Sequence, residues 1–257
     1  MCDPVCFHAF GRPIYWYGVM IAAGFLAALA HWNLLARREG KPAGYAGDLG
    51  FWLLLSGILG ARVAYVLAHW DDFAVAPLAV IRLDQGGLVY YGGFLAAAGA
   101  AAIFAHIRRE RFWPFTDFAI TALPLGHAFG RLGCFLNGCC YGRPSSIPWA
   151  VPLGDFCVHP VQLYEAFGEL AIFITLMLAY RRRAGTGVVF ALYLVLYPLL
   201  RFICEFFRGD PRWRVGILNL AQIASLALMT IGIGLLVWRL RAQPPTAAGH
   251  ATGRRAP

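Results

Sequence analysis

Long apolar stretches alternate along this chain with short polar segments that carry most of its basic residues. Seven stretches approach the roughly 20 apolar residues that a helix needs to cross a bilayer. They run 14–35, 49–69, 88–106, 115–132, 163–180, 187–204 and 216–238. The pattern predicts an all-α integral membrane protein, a single membrane domain over 1–257 with seven transmembrane helices and small loops between them. The third and fourth stretches are the shortest, and Pro124, Gly126, Gly130 and Gly133 interrupt the fourth. Residues 1–13 hold no positive segment ahead of a short apolar run, so no cleavable signal peptide is expected. The segment 242–257 is rich in Pro, Ala and Gly and reads as a disordered tail. No internal repeat is visible.

Composition supports this picture. Of 257 residues, 60% are hydrophobic and 14% charged, against about a quarter charged in ordinary soluble chains. A soluble enzyme and a disordered chain are both excluded. A net charge of +9 would by itself suggest nucleic acid or a membrane surface as partner. Its distribution removes the need for nucleic acid. The loops after the first, third and fifth spans, together with the tail, hold thirteen basic residues against Glu39 and Glu110. The rest of the chain holds nine basic and eleven acidic residues. That bias predicts these loops and the C-terminus in the cytoplasm and the N-terminus outside. The outward segments are then RLDQGG, the long GCCYGRPSSIPWAVPLGDFCVHP and EFFRGDPRWR.

Charge inside an apolar span is the next signal. An Arg near the centre of a spanning helix costs roughly 2.5–3.5 kcal/mol on insertion scales, so its presence asks for a function. Arg62, Arg131 and Arg201 are the three candidates. Internal ion pairing is the plainer reading and suits Arg62 best. Arg201 has Glu205 at i,i+4 spacing. Arg131 is read as lying in a glycine-rich break, a backbone tolerated in a membrane only beside an enclosed cavity. Guanidinium forks converging near the outer leaflet suit a phosphate, so the residues alone point to an anionic lipid or lipid-linked substrate.

The stretch GRLGCFLNGCCYG at 130–142 resembles the signature of the prolipoprotein diacylglyceryl transferase family, which usually reads Gly-Arg-x-Gly-Asn-Phe-x-Asn-x-Glu-x-x-Gly. Gly130, Arg131, Gly133, Phe135, Asn137 and Gly142 match it. Cys134 stands where Asn is usual and Cys139 where Glu is usual. WYG at 16–18, GARVAYVL at 60–67, GGLVYYGG at 86–93, HPVQLYE at 159–165 and RFICEFFR at 201–208 are similar to the remaining family segments, in family order. The resemblance implies transfer of a diacylglyceryl group from phosphatidylglycerol to the lipobox cysteine thiol of prolipoproteins, with a thioether formed and glycerol phosphate released. It further implies a multi-pass protein of the bacterial cytoplasmic (inner) membrane whose active site faces the outer leaflet.

Roles follow from that resemblance. The thiolate is the nucleophile, and the leaving phosphate needs preorganised donors, which assigns Arg131 and Arg201 to catalysis. Tyr91 and Tyr197 join them, and Tyr91 stands where many members have a His. Tyr17, Arg62, Asn137, Gly142, Glu205 and His127 are expected to contact or position substrate. Gly142 would permit a close turn, and Glu205 would orient Arg201. His127, four residues before Arg131, is an alternative source of the missing imidazole, while His159 is expected to be structural.

Seven cysteines are present, and Cys134, Cys139, Cys140 and Cys157 fall in one outward segment. A disulfide from Cys157 to Cys139 or Cys140 is one arrangement in an oxidising compartment. A metal site on Cys134, Cys139, Cys140 and His159 matches no C-x₂-C spacing, so neither metal nor dissociable cofactor is expected. The competing functions are a membrane thiol–disulfide oxidoreductase using these sulfurs and a diverged, non-catalytic lipid-binding relative.

Overall fold

The computed structural model describes residues 4–9, 11–82, 86–210 and 214–242. The expected tail beyond 242 and part of the RLDQGG segment lie outside the described residues. Among the described residues, seven helical spans are long and apolar enough to cross a membrane. They are α1 (Trp16–Arg38), α2 (Tyr45–Ala68), α4 (Tyr90–Ile107), the pair α5 (Phe112–Ile120) with α6 (Leu123–Leu136), α7 (Val161–Arg181), α8 (Val188–Glu205) and α9 (Leu220–Arg241). A short helix, α3 (Trp70–Val75), and a 3₁₀ turn lie between α2 and α4. Only 11% of the α4 window and 39% of those of α7 and α8 are buried within the chain. Leu26, Leu67, Leu95, Ile103, Phe167 and Ile231 point outward, as a lipid-facing exterior requires.

Because successive spans run antiparallel, the basic segments gather at one end of the bundle. Polar ties brace that end. Lys41 meets Glu110 at 2.8 Å, Arg108 meets Asp48 at 2.5 Å, and the Tyr180 hydroxyl donates to Glu39. Buried Asp117 of α5 caps a neighbouring helix. Its carboxylate accepts from the backbone N–H groups of Gly187 (2.5 Å) and Phe190 (2.8 Å), satisfying donors that begin α8. The opposite end carries three two-stranded hairpins. They are β1 (Val5–Ala9) with β2 (Arg12–Tyr15), β3 (Val151–Leu153) with β4 (Phe156–Val158), and β5 (Arg214–Val215) with β6 (Leu218–Asn219).

Small residues set the closest helix contacts, as expected where lipid removes the hydrophobic drive between helices. The closest approach of α4 to α2 includes Ala96, the first residue of its Ala-rich stretch 96–102, and extends back toward the start of α4. There Gly92, Gly93 and Ala96 meet Gly57 and Gly60 of α2. A Cβ on Gly60 would stand 2.2 Å from the Ala96 Cβ and 2.7 Å from the Gly92 carbonyl oxygen. Gly60→Leu should therefore destabilise the bundle by about 1–3 kcal/mol or more through overpacking. Thermal unfolding in detergent checks this, and Gly99→Leu, with open space around it, should behave as the unchanged chain.

The fourth span does not break at its glycines. Its backbone breaks at Thr121–Ala122, just before Pro124, and α6 then runs unbroken through Arg131. The proline ends the preceding hydrogen-bond ladder. Glycines on both helices instead let α1 and α6 approach: a Cβ on Gly133 of α6 would sit 3.1 Å from that of Met20, and one on Gly24 of α1 would sit 2.7 Å from that of Phe129. In α8, Pro198 cannot donate to the Leu194 carbonyl, and Gly232 of α9 packs against that same peptide group.

Candidate active site

The end of the bundle with the hairpins brings α6, α7 and α8 together around one buried carboxylate. Glu165, in the first turns of α7, is 4% exposed. One of its oxygens is paired with Nε of Arg131 from α6. The other lies 2.6 Å from Nη1 of Arg201 from α8 and 3.7 Å from Nη1 of Arg208 just beyond that helix. Arg201 reaches Glu205 through Nη2 at 2.9 Å, so the expected i,i+4 pair forms. Glu205 also accepts from the Asn219 side chain at 3.1 Å, the residue that caps α9. Arg208 grips Asp210 through Nε and Nη2 at 2.9 and 3.2 Å.

These pairings separate the two arginines singled out in the sequence. Arg201 has both Nη groups committed to carboxylates, and its side chain is 16% exposed. Arg131 makes its closest contact to Glu165 through Nε and is 28% exposed. Among the described residues, no protein acceptor meets its two Nη groups. That is the edge of the guanidinium a phosphate would engage in a fork.

One helical turn further into the bundle lies a second polar layer. His127 of α6 places Nδ1 3.2 Å from Glu169 of α7. Its ring lies 5.5 Å from that of Tyr197 of α8, which stacks on Tyr193 at 5.4 Å. Tyr197 is within electrostatic reach of Arg131, Arg201, Glu169 and Tyr90.

The remaining candidates distribute unevenly. Tyr17 opens α1 against Gly133 and lies within electrostatic reach of Arg131 and three thiols. With Gly18, Asn137 and Tyr15 it lines a cavity of about 560 Å³. Gly142 is wedged where a Cβ would stand 2.6 Å from the His159 carbonyl oxygen and 2.7 Å from that of Phe207. Its N–H donates to His159, and Arg143 N–H donates to Phe207. This crossing locks the loop after α6 onto the ends of α7 and α8. Arg62 stands apart. It is buried and donates to the carbonyls of Ala79, Val80, Arg82, Gly86 and Gly87 at 2.6–3.2 Å, stitching the segment between α2 and α4. Tyr90 and Tyr91 are both exposed, at 63% and 75%, and Tyr90 lies within electrostatic reach of Arg131 and Glu169. His159 contacts Tyr164 at 3.2 Å.

Cys134, Cys139 and Cys140 converge, their Sγ atoms all within 4.8 Å of one another. A hydrogen bond from the Cys134 thiol, joined by the Arg208 guanidinium and opposed by burial, holds the Cys140 thiol below the ordinary thiol range. Burial, then the charge on Cys140, pushes Cys139 up. Cys157 is exposed and, like the other described cysteines, a free thiol. A second, apolar cavity of about 470 Å³ lies nearby, walled by Trp149, Tyr164, Leu200, Ile203 and Phe207.

Glu165, Glu169, Arg208 and Tyr90 were not among the sequence-predicted residues. The two glutamates carry the same signal as the arginines, ionisable groups inside an apolar span. Arg208 closes a segment already matched to the family.

Fold and site together define a polytopic helical membrane protein with an arginine–carboxylate centre at one end of its bundle. The model of the family described as prolipoprotein diacylglyceryl transferase matches residues 4–238, and the chain belongs to that family. It is 34% identical over 236 residues to a phosphatidylglycerol–prolipoprotein diacylglyceryl transferase of Finegoldia magna, covering 91% of this chain and 95% of the relative. Proteins of the same name from Pseudoalteromonas translucida and Cupriavidus necator are each 36% identical, over 92% and 96% of both chains respectively.

Proposed function

We propose that this chain transfers the diacylglyceryl group of phosphatidylglycerol to the lipobox cysteine thiol of prolipoproteins. The proposal places the site on the outer side of the bacterial cytoplasmic (inner) membrane. The observation that carries it is the open fork of Arg131, held by a buried carboxylate, in a chain whose relatives bear this activity in their names. The basic segments at the other end of the bundle support the orientation, with that end and the C-terminus in the cytoplasm. Family membership favours catalysis over the thiol–disulfide oxidoreductase reading.

In the reaction the substrate sulfur bonds to the terminal glyceryl carbon as the carbon–oxygen bond to phosphate breaks. Glycerol phosphate departs with the electron pair, and the thiol proton passes to a base. Arg131 neutralises the phosphate as charge grows on its oxygens, without reorganisation at that moment. Arg201 and Arg208 keep Glu165, and through it Arg131, in place. Tyr17 and Asn137 are headgroup contacts from the wider cavity, and the apolar cavity suits an acyl chain.

His127 takes the role of base. In the tautomer that donates Nδ1–H to Glu169, Nε2 keeps the imidazole lone pair, the arrangement a proton acceptor needs. His127→Ala should lower the turnover number by roughly 10²–10⁴-fold with little change in the apparent KM for lipid, and added imidazole should restore part of it. His127→Gln, which keeps a hydrogen bond to Glu169 but takes no proton, should be equally slow. Near-full activity of His127→Ala at neutral pH, alongside an inactive Arg131→Ala, removes His127 from the mechanism.

The test of the reaction itself is reconstitution of the full chain with phosphatidylglycerol and a lipobox peptide, followed by mass measurement of the peptide. A diacylglyceryl mass increase, lost with Arg131→Ala, is expected. Lipid binding without any mass increase leaves the diverged, non-catalytic relative.

A further inference from the structure

Three cysteine side chains meet at the end of α6 without any part in the transfer reaction. Cys134 lies in the last turn of α6, and Cys139 and Cys140 follow a turn in which Gly138 takes a φ of 70°. Cys140 itself has a φ of 62°, a conformation that L side chains adopt at a cost and keep only where the surroundings impose it. The loop is pinned from both sides. Cys139 N–H donates to the Cys134 carbonyl at 3.1 Å, and the Cys139 carbonyl accepts from buried Gln162 of α7 at 2.7 Å.

The sulfur spacing is close to that of a coordination site. Three thiolates around one ion at about 2.3 Å stand roughly 4 Å from one another, and here all three Sγ atoms fall within 4.8 Å. Shifts below about 1 Å would complete the ligation. Charge is provided for as well, since Arg208 contacts Cys140 and Arg131 lies within electrostatic reach of Cys134. A disulfide between any two of these sulfurs would leave the third alone, whereas one ion engages all three. His159, the fourth ligand considered from the sequence, is not in the group; its ring contacts Tyr164 and Phe207 instead.

We propose that Cys134, Cys139 and Cys140 form a three-thiolate site for a soft, closed-shell metal ion, with Cu⁺ preferred. Thiolate ligands select soft ions. A site of three sulfurs suits trigonal Cu⁺, while Zn²⁺ requires a fourth donor to reach its usual tetrahedron. The site reverses the expectation of a metal-free chain, which rested on a sequence spacing that resembles no common motif. The turn at Gly138 and Cys140 is what brings the sulfurs together.

The experiment uses the full-length protein in detergent, reduced and kept from oxygen. Cu⁺ is titrated against a coloured Cu⁺ chelator, Zn²⁺ is titrated in parallel, and iodoacetamide labelling is read peptide by peptide. One Cu⁺ per chain is expected, with slower alkylation of Cys139 and Cys140 and unchanged alkylation of exposed Cys157. Cys139→Ser should weaken Cu⁺ retention by roughly 100-fold or more, beyond the usual effect of losing an outer partner, and Cys157→Ser should leave it unchanged. Failure to compete with the chelator overturns the proposal, as does retention that survives Cys139→Ser or retention of Zn²⁺ in preference to Cu⁺. Unchanged labelling of Cys139 and Cys140 at saturating Cu⁺ overturns it without any substitution, so a variant that fails to fold does not shield it.

Discussion

Arg131→Ala should reduce diacylglyceryl transfer by roughly 10²–10³-fold, the range for loss of one preorganised donor to a developing anion, while the protein stays folded. The asymmetry of the arginine pairs explains why. Glu165 retains Arg201 at 2.6 Å and Arg208 at 3.7 Å when Arg131 is removed, so no buried carboxylate is left without a counter-charge. What disappears is the partly exposed guanidinium fork. Arg131→Lys sharpens the point. An ammonium can replace the contact to Glu165 as a point charge but cannot present two parallel donors to a phosphate. Lysine should therefore restore thermal stability fully and activity poorly. Arg201→Ala should behave differently. It deprives both Glu165 and Glu205 of a partner, so inactivity should come with a lowered unfolding temperature. If Arg131→Ala loses as much stability as Arg201→Ala and transfer falls only in proportion to folded protein, the division of roles fails.

The spans were legible because membrane insertion is governed by the summed apolarity of about 20 residues, a quantity the sequence contains outright. Helix ends obey other forces. α1 runs past Leu35 to Arg38, where Arg37 and Arg38 suit the C-terminal end of the helix dipole, and α2 starts at Tyr45, ahead of Asp48 in its first turn. Glycine was ambiguous for the same reason. Gly126, Gly130 and Gly133 signal either a broken backbone or a close helix neighbour; packing decides for the latter at Gly133, while a Cβ on Gly130 would make ordinary contact with α1 and one on Gly126 would meet open space.

In the site, Arg131, Arg201 and Glu205 stood out because charge is costly in an apolar stretch. Glu165 and Glu169 satisfy the same rule, one and two turns into a span, but a carboxylate does not by itself point to a phosphate as the cations do. Arg62 met the rule too, yet its guanidinium binds backbone carbonyls of its own connecting segment. Its cost is offset by loop closure, which no local pattern announces. The choice between Tyr90 and Tyr91 depends on the rotation of α4 about its axis, and a helix with apolar residues on every face does not fix that rotation by sequence. The convergence of Cys134 with Cys139 and Cys140 depends on two left-handed residues in one turn, one of them a non-glycine.

Glu165→Ala is expected to be the most destabilising single change in the chain. Its carboxylate pairs with Arg131, Arg201 and Arg208, and it is nearly fully buried. Removing one partner of a buried ion pair costs about 3–5 kcal/mol, because the remaining charge keeps its desolvation penalty. For a chain of this size that corresponds to roughly 10 °C in unfolding temperature. Transfer should vanish with it, since Arg131 loses its anchor. The paired change Glu165→Leu with Arg201→Leu separates electrostatics from packing. Replacing a buried pair by apolar residues is often neutral, so the double variant should unfold at a higher temperature than Glu165→Leu alone while remaining inactive. That coupling, measured as a double-mutant cycle, is positive only if the carboxylate holds the arginines by charge. Additive losses would instead mean that Glu165 serves as filling between α6, α7 and α8, and the placement of the Arg131 fork would need another cause.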